Sequence, residues 1–341
     1  KRSEDIRMRI NVLSEIPGEW KAKIAEWAEL NREFKTNIDG VLEPRRNTEY
    51  FMYQTLIGAW PDESPTVSTM GPFYERIWQY VLKSVREAKI YTNWSKPDSA
   101  YEEAVNKFLK SILSQEVSNR FLKSFVSFQK KIGFLGKLNG LSATVIKIAS
   151  PGVADIYQGN EMWCYSLVDP DNRRNVDFNA RMRQFDVVKK ELEGDISGAV
   201  AAGAFVSGNI EKLKLYYTWK CLVFRRLHKE LFVGGEYIPV EVKGKRARNV
   251  VAFIRRRGKK IALVAAGRFF TQWPFGKDLQ LPADFWKNTE LVLPQALELP
   301  GKLKDIMTNE NIELVRQKQQ VVIRVVDLFR KGYACLLTND E

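Results

Sequence analysis

A single histidine in 341 residues is the scarcity that excludes most. Ser-His-Asp and Cys-His nucleophile systems would all have to be built on His228, and a multi-histidine metal site cannot be built at all. His228 lies in Phe224-Arg225-Arg226-Leu227-His228-Lys229. That is the end of a predicted helix, where a cation complements the dipole, so it reads as structural. Cysteine is also scarce: Cys164, Cys221 and Cys335 are far apart and no CxxC spacing occurs. Three cysteines cannot all pair within one chain, which fits a reducing cytoplasm and argues against zinc. No run approaches the ~18 apolar residues of a membrane span. The GxxxxGK phosphate loop, internal repeats and low-complexity tracts are missing too. There is no signal-peptide pattern, and no Met opens the chain. Lys1-Arg2 leads straight into a helical pattern, as expected of a piece of a longer protein.

What is present is ordinary for a globular protein, with 45% hydrophobic and 28% charged residues. The length suggests two domains. The net charge of +13 raises the possibility of nucleic acid. However, the basic residues are spread along the chain and mixed with 41 acids. The densest cluster, Arg255-Arg256-Arg257-Gly258-Lys259-Lys260, reads as the solvated tip of a hairpin. No nucleic-acid recognition motif occurs, so neither nucleic acid nor membrane is an expected partner.

Taken in order, the chain is helical first and stranded last. Ser3 can cap a helix whose first turn holds Glu4 and Asp5 and whose stripe is Ile6, Ile10 and Leu13. A second helix opens near Pro17 with Trp20, Ile24, Trp27 and Phe34 at helical spacing; 36–47 reads as a loop. Residues 47–59 form a helix whose face mixes Tyr50, Tyr53 and Gln54. Pro72 starts another after a linker, and Ser99 to Glu102 looks like a capping box for a long helix running on through Phe121, Phe125 and Phe128. An apolar helix over 138–149 follows. Asp177 can cap a helix marked by Met182, Phe185 and Val188. The Gly/Ala-rich tract 194–208 is a loop or hinge, and 209–230 is a helix. From about Phe232 the period becomes two. Strands are expected over 237–242, 250–255, 261–266, 291–293, 312–315, 321–326 and 333–337, as in a small antiparallel sandwich.

The least helical stretch is 150–178, SPGVADIYQGNEMWCYSLVDPDNRRNVDF. Ser150-Pro151-Gly152 stops the preceding helix, 153–157 has strand length, and Gln158-Gly159-Asn160-Glu161 is a polar turn. A polar loop after a strand is where α/β enzymes place their sites. Asp169-Pro170-Asp171-Asn172-Arg173-Arg174 then gathers carboxylates, an amide and guanidiniums, groups that suit sugar hydroxyls. Trp163 and Tyr165 are flat rings able to stack on a pyranose. From residue types alone, a solvated loop with internal ion pairs accounts for the same pattern.

PGVADIYQGNE followed by DPDNRRNVDF resembles the loop after the eighth barrel strand in the α-amylase superfamily, and within it the maltooligosyltrehalose synthases. KRSEDIRMRINVLSE at the start resembles the segment that follows that family's last catalytic Asp. NTEYFMYQTLIGAWP, residues 47–61, resembles a signature of its helical insertion. The resemblance spans nearly the whole chain. It implies an α+β fold: the C-terminal part of a (β/α)8 barrel with a large all-helical insertion, then an antiparallel β-sandwich. The corresponding divisions are 1–34 for late barrel helices, 35–135 for the insertion, 136–231 for the last barrel strand and following helices, and 232–341 for the sandwich.

The resemblance also implies an isomerase of trehalose biosynthesis, acting on maltooligosaccharides without cofactor or metal in the cytoplasm. It turns the reducing-end α-1,4 linkage into an α,α-1,1 linkage. Retaining glycosidic chemistry needs two closely spaced carboxylates. In the family these, and a third, precede the segment matched by Lys1, so no catalytic residue is expected here and the chain alone is expected to be inactive. Candidate substrate contacts are Lys1, Arg2, Tyr50, Gln54, Gln158, Glu161, Asp171, Asn172, Arg173 and Arg174. Gln158, Glu161, Asp171 and Arg174 are the favoured four. For Tyr50 and Gln54 a core helix with internal hydrogen bonds is the alternative. Ala154 and Asn175 depart from the family pattern, where Pro is common, and loosen the loop. An α-amylase-like hydrolase or transferase, or a non-catalytic carbohydrate-binding protein, are the competing functions.

Overall fold

The computed structural model describes residues 3–116, 119–169, 171–194, 210–275, 281–282, 284–317, 319–330 and 332–340. Lys1, Arg2 and residues 195–208 of the expected hinge lie outside them. The content is mixed helix and sheet, and the chain divides into two compact units: Lys1–Gly136 with Cys164–Asn175, and Lys137–Trp163 with Val176–Glu341.

The first unit is helical. Helix α1 is Glu4–Glu15; Ser3 accepts from the Ile6 N–H at its start, and Glu4 and Asp5 lie in the favourable first turn. Helix α2, Pro17–Leu30, has Pro at its first position, where its missing N–H costs nothing. The expected loop over 36–47 contains a hairpin, β1 (Thr36–Ile38) and β2 (Val41–Glu43). Asp39 and Gly40 both take positive φ at its turn, the geometry that Asp-Gly favours. Helix α3 is Arg46–Ala59 and α4 is Val67–Ala88. Thr66 caps α4 in a reciprocal box with Thr69, so this helix starts upstream of Pro72, which sits in its second turn. Helix α5, Ser99–Ile112, is capped by Asp98, which accepts from the Tyr101 N–H; Ser99 is not the cap. Glu102 is drawn off to Arg86 and Thr92 instead. The helical pattern through Phe128 is broken before α6, Arg120–Ala149, of which the part up to Gly136 belongs to this unit.

Trp27 is the hub of this unit. It is fully buried, and the rings of Tyr53, Phe121, Phe125 and Phe128 all lie 5.5–5.7 Å from its own. Such pairs add roughly 0.5–1.5 kcal/mol each beyond area burial. Helix α1 packs closely on its neighbours through glycines. A Cβ at Gly58 would meet Ile6 Cγ2 at 2.7 Å, and one at Gly136 would meet the Arg9 Cα at 3.0 Å.

The second unit holds α7 (Phe178–Gly194), α8 (Ile210–Leu227), α9 (Lys229–Val233) and the sheets. Asp177 caps α7 by accepting from the Ala180 N–H at 2.8 Å. Strands β3 (Glu236–Pro239), β4 (Glu241–Lys243), β5 (Val250–Arg257), β6 (Lys260–Gly267), β7 (Glu290–Leu293), β8 (Lys302–Asp305), β9 (Asn311–Glu313), β10 (Val315–Gln317), β11 (Gln320–Arg324) and β12 (Ala334–Thr338) pair antiparallel. They form a six-stranded sheet, β3-β5-β6-β12-β8-β9, and a four-stranded one, β10-β11-β7-β4. A short helix α10 (Val325–Leu328) ends β11. The basic cluster is only partly a solvated tip. The β5–β6 turn is at Gly258, but Arg255 is 1% exposed and donates to the carbonyls of Phe232, Gly235, Glu236 and Ala149. The expected strand over 153–157 is absent: these residues run without a ladder, and Val153 is 97% exposed. Apolar composition cannot make a strand without a neighbour to complete its hydrogen bonds.

Candidate functional site

In the first unit the segment Cys164–Asn175 is tied to the start of α1. The Cys164 N–H donates to Asp5 Oδ2 at 2.7 Å, and the Ser3 N–H donates to the Ser166 carbonyl at 3.0 Å. The first-turn acid of α1 therefore does two things: it complements the dipole and anchors the loop.

Asp171 is the centre of that loop. It is 6% exposed and accepts from the Leu167 N–H at 2.8 Å. Arg76 lies 3.5 Å away and Arg174 2.5 Å away. Arg76 also donates to the carbonyls of Ala59 and Tyr165. Burial pulls the Arg76 guanidinium below its ordinary pKa, and the Asp171 charge opposes that pull. Asp169 is paired with Lys83 at 3.2 Å and with Arg173. Each carboxylate of the loop thus faces an inner cation from α4 and an outer one from the loop itself. Arg173 and Arg174 remain largely exposed, at 72% and 62%, whereas the preceding Asn172 is half-buried with its side-chain oxygen enclosed. The loop presents two guanidiniums outward from carboxylates that are already paired.

The same unit holds a second, partly buried ion pair. Arg9, 1% exposed, donates to Asp62 Oδ1 at 2.8 Å and to the carbonyls of Gly58 and Trp60. The Tyr165 hydroxyl donates to the same Asp62 carboxylate.

Tyr50 and Gln54 are elsewhere. They border a cleft of about 530 Å³ together with Asn11, Ser14 and Pro17, at the far end of α1. The nine residue steps from Asp5 to Ser14 correspond to roughly 14 Å of helix rise. Tyr50 is 40% exposed and accepts from Trp20 Nε1 at 3.1 Å.

In the second unit, Tyr157 to Asn160 form a tight turn. The Asn160 N–H donates to the Tyr157 carbonyl at 2.9 Å, and Gly159 takes φ +89°, which suits glycine. Gln158 is exposed on it. Glu161 is half-buried and ion-paired with Arg181. The ammonium groups of Lys137 and Lys214 lie over the Trp163 ring, 5.7 and 5.3 Å from its centroid. Lys1 and Arg2 lie outside the described residues.

The residues that sequence reasoning did not single out are the partners: Arg76, Lys83, Arg181, Arg9 and Asp62. None carries a local signal, because each meets its partner across tens of residues of chain or from another element. Among the described residues, no group of three or more His, Cys, Asp or Glu side chains could hold a metal. No helix among them is long and apolar enough to cross a membrane.

No protein-family profile matches the chain. Two putative maltooligosyl trehalose synthases, from two strains of Mycobacterium tuberculosis, are 33% identical to it over 300 residues, 86% of this chain and 32% of theirs. The solved maltooligosyltrehalose synthase of Arthrobacter ramosus superposes with a TM-score of 0.72 at 28% identity, over 99% of this chain and 37% of that one. A hypothetical maltooligosyl trehalose synthase of Sulfolobus tokodaii gives 0.66 at 30% identity, over 99% and 37%. The chain thus spans about a third of the length of the curated relatives it matches. The resemblance to maltooligosyltrehalose synthases holds in sequence and in fold.

Proposed function

We propose that this chain, as the counterpart of about a third of a maltooligosyltrehalose synthase, builds part of the saccharide pocket of an intramolecular transglucosylase. The observation that carries this reading is the joint match: 33% identity over 300 residues and a TM-score of 0.72 over 99% of the chain. In the reaction, the reducing-end α-1,4 bond of a maltooligosaccharide breaks and a glycosyl-enzyme forms. The freed glucose stays bound, turns, and attacks through its anomeric hydroxyl. A new α,α-1,1 bond forms as the enzyme carboxylate leaves.

The nucleophile and acid are proposed to lie outside residues 1–341, so this chain binds and encloses rather than transfers protons. Hydrolysis competes at the glycosyl-enzyme, and a pocket that holds glucose must exclude water. Gln158, Asn172, Arg173 and Arg174 are proposed as polar contacts. Glu161 and Asp171, already held by Arg181 and by Arg76 with Arg174, fix the loops that carry them. The proposed architecture is the last part of a (β/α)8 barrel with a helical insertion, followed along the chain by the antiparallel sheets. Three free cysteines fit a cytoplasmic setting.

The test is product analysis. Maltopentaose is given to the protein encoded by the complete reading frame that contains residues 1–341, and separately to residues 1–341 alone. A trehalosyl-ended product from the first and none from the second is expected. Release of glucose and maltose by the first points to an α-amylase-like hydrolase and overturns the proposal.

A further inference from the structure

The cleft beside Tyr50 continues past it. On its other side, between α2, the β1–β2 hairpin and the start of α3, lies a larger cleft of about 850 Å³, and Lys21, Ile24 and Tyr50 border both. The two halves differ in chemistry. The smaller offers amides and a hydroxyl, from Asn11, Gln54 and Ser14, beside the ring of Tyr50. The larger is bordered by five cations, Lys21, Arg32, Lys35, Arg45 and Arg46, against two acids, Glu29 and Glu49.

One of those acids is spent. Glu49 is 2% exposed, pairs with Lys35 at 2.6 Å, and accepts from the Tyr53 hydroxyl at 2.8 Å. Tyr53 in turn accepts from the buried Asn31 amide at 2.7 Å. This network makes a rigid, neutral floor. The other acid, Glu29, is 79% exposed and only 4.0 Å from Arg32. Arg45 is held in place by Glu43 at 2.9 Å and by the face of Tyr91. The walls keep a positive excess with planar donors, which suit a phosphate or similar anion. Tyr50 is held too, by the hydrogen bond from Trp20 and by a ring contact at 5.9 Å. A fixed, 40%-exposed ring flanked by amides is a stacking surface for a sugar.

We propose that this groove is a second ligand site, distinct from the Asp171 loop, and that it takes a phosphorylated saccharide. The phosphate sits among Arg32, Arg45 and Arg46, and the sugar lies on Tyr50 towards Gln54 and Asn11. The site is within one compact unit and does not rest on the glucan-isomerase reading.

Calorimetric titration of the 341-residue chain tests it with three probes: glucose 6-phosphate, inorganic phosphate and maltose. Glucose 6-phosphate binds at least about tenfold more tightly than either other probe, and its binding weakens with added salt. Arg46→Glu weakens it by about tenfold or more, the loss of one charge-assisted contact. This variant puts a carboxylate in the first turn of α3, which the helix dipole favours, so it folds. Arg32→Glu, at an exposed position, is the second test variant and gives the same loss. Tyr50→Ala reduces the affinity to that of inorganic phosphate. No binding of glucose 6-phosphate, equal binding of inorganic phosphate or maltose, or unchanged binding by Arg46→Glu each overturns the proposal.

Discussion

The guanidinium of Arg9 lies 3.4 Å from the ring centroid of Tyr165, and both side chains bond the same carboxylate, Asp62. A residue of the first helix thereby locks a loop residue more than 150 positions later in the chain. The lock matters because Tyr165 gives its carbonyl to Arg76, which in turn faces Asp171. Position in the loop is set by a chain of partly buried ionic and hydrogen-bond contacts within the first unit.

Arg9→Met removes the donor to two carbonyls and the partner of Asp62 while roughly keeping the volume. A loss of roughly 2–4 kcal/mol in unfolding free energy is expected, less than for a fully buried pair because Asp62 is 28% exposed. Urea unfolding of the chain measures it. Arg9→Lys recovers part of the charge but not the fork, and falls between the two.

Gly136→Ala tests the close approach of α6 to α1. The added methyl would meet main-chain atoms of Arg9 at 3.0 and 3.1 Å, which cannot swing aside. A loss of about 1–3 kcal/mol is expected, despite the better helix propensity of Ala. Gly18→Ala, with nothing within 4 Å, is the control and stays neutral or gains slightly. Thermal melts of both variants decide it.

Asp305 gives a pH signature in the second unit. Burial pushes its carboxyl up from the ordinary value to about 6, against hydrogen bonds from the Met307 N–H and Thr308 Oγ1 that favour ionisation. A raised carboxyl pKa means the folded state holds the proton more tightly than the unfolded state. Its contribution to stability is therefore greatest below about pH 4 and is lost as pH rises to about 6. Asp305→Asn cannot ionise. The difference in unfolding free energy between variant and parent should shift in the variant's favour by up to about 3 kcal/mol from pH 4 to pH 7. Denaturation series at fixed pH steps measure it, and a constant difference across that range contradicts the assignment.

Much of the helical unit was legible from local pattern. Ser3 and Asp177 cap the helices expected of them, because a cap is decided by residues three apart. Most of the strands from residue 236 onward were legible from alternation. β8 was not: Lys302-Leu303-Lys304-Asp305 has one apolar residue facing in, too little for a period-two signal. The β1–β2 hairpin was missed although Asp39-Gly40 announced its turn, because its strands are three residues each. Composition singled out 150–178, and the resemblance favoured a site there over a solvated loop. What no local reading supplies is which charges are consumed. Asp171 and Arg174 look like free hydrogen-bonding groups in sequence, and only folding brings Arg76 beside them. Arg255 looks like part of a solvated tip, and only packing shows it capping four carbonyls. Tyr50 and Asp171 read as one site in sequence, yet opposite ends of α1 hold them.

The central claim is that this chain walls the saccharide pocket of a maltooligosyltrehalose-forming enzyme, with the exposed head of Arg174 among the contacts. The direct measurement is the ratio of trehalosyl product to free glucose from maltopentaose, for Arg174→Ala in the protein of the complete reading frame. Arg174 is 62% exposed, so its removal leaves the fold in place while Arg76 still faces Asp171. A ratio that falls about tenfold or more, with substrate still consumed, is the expected result, since a glucose held less well loses to water. A ratio equal to the parent's would contradict the claim.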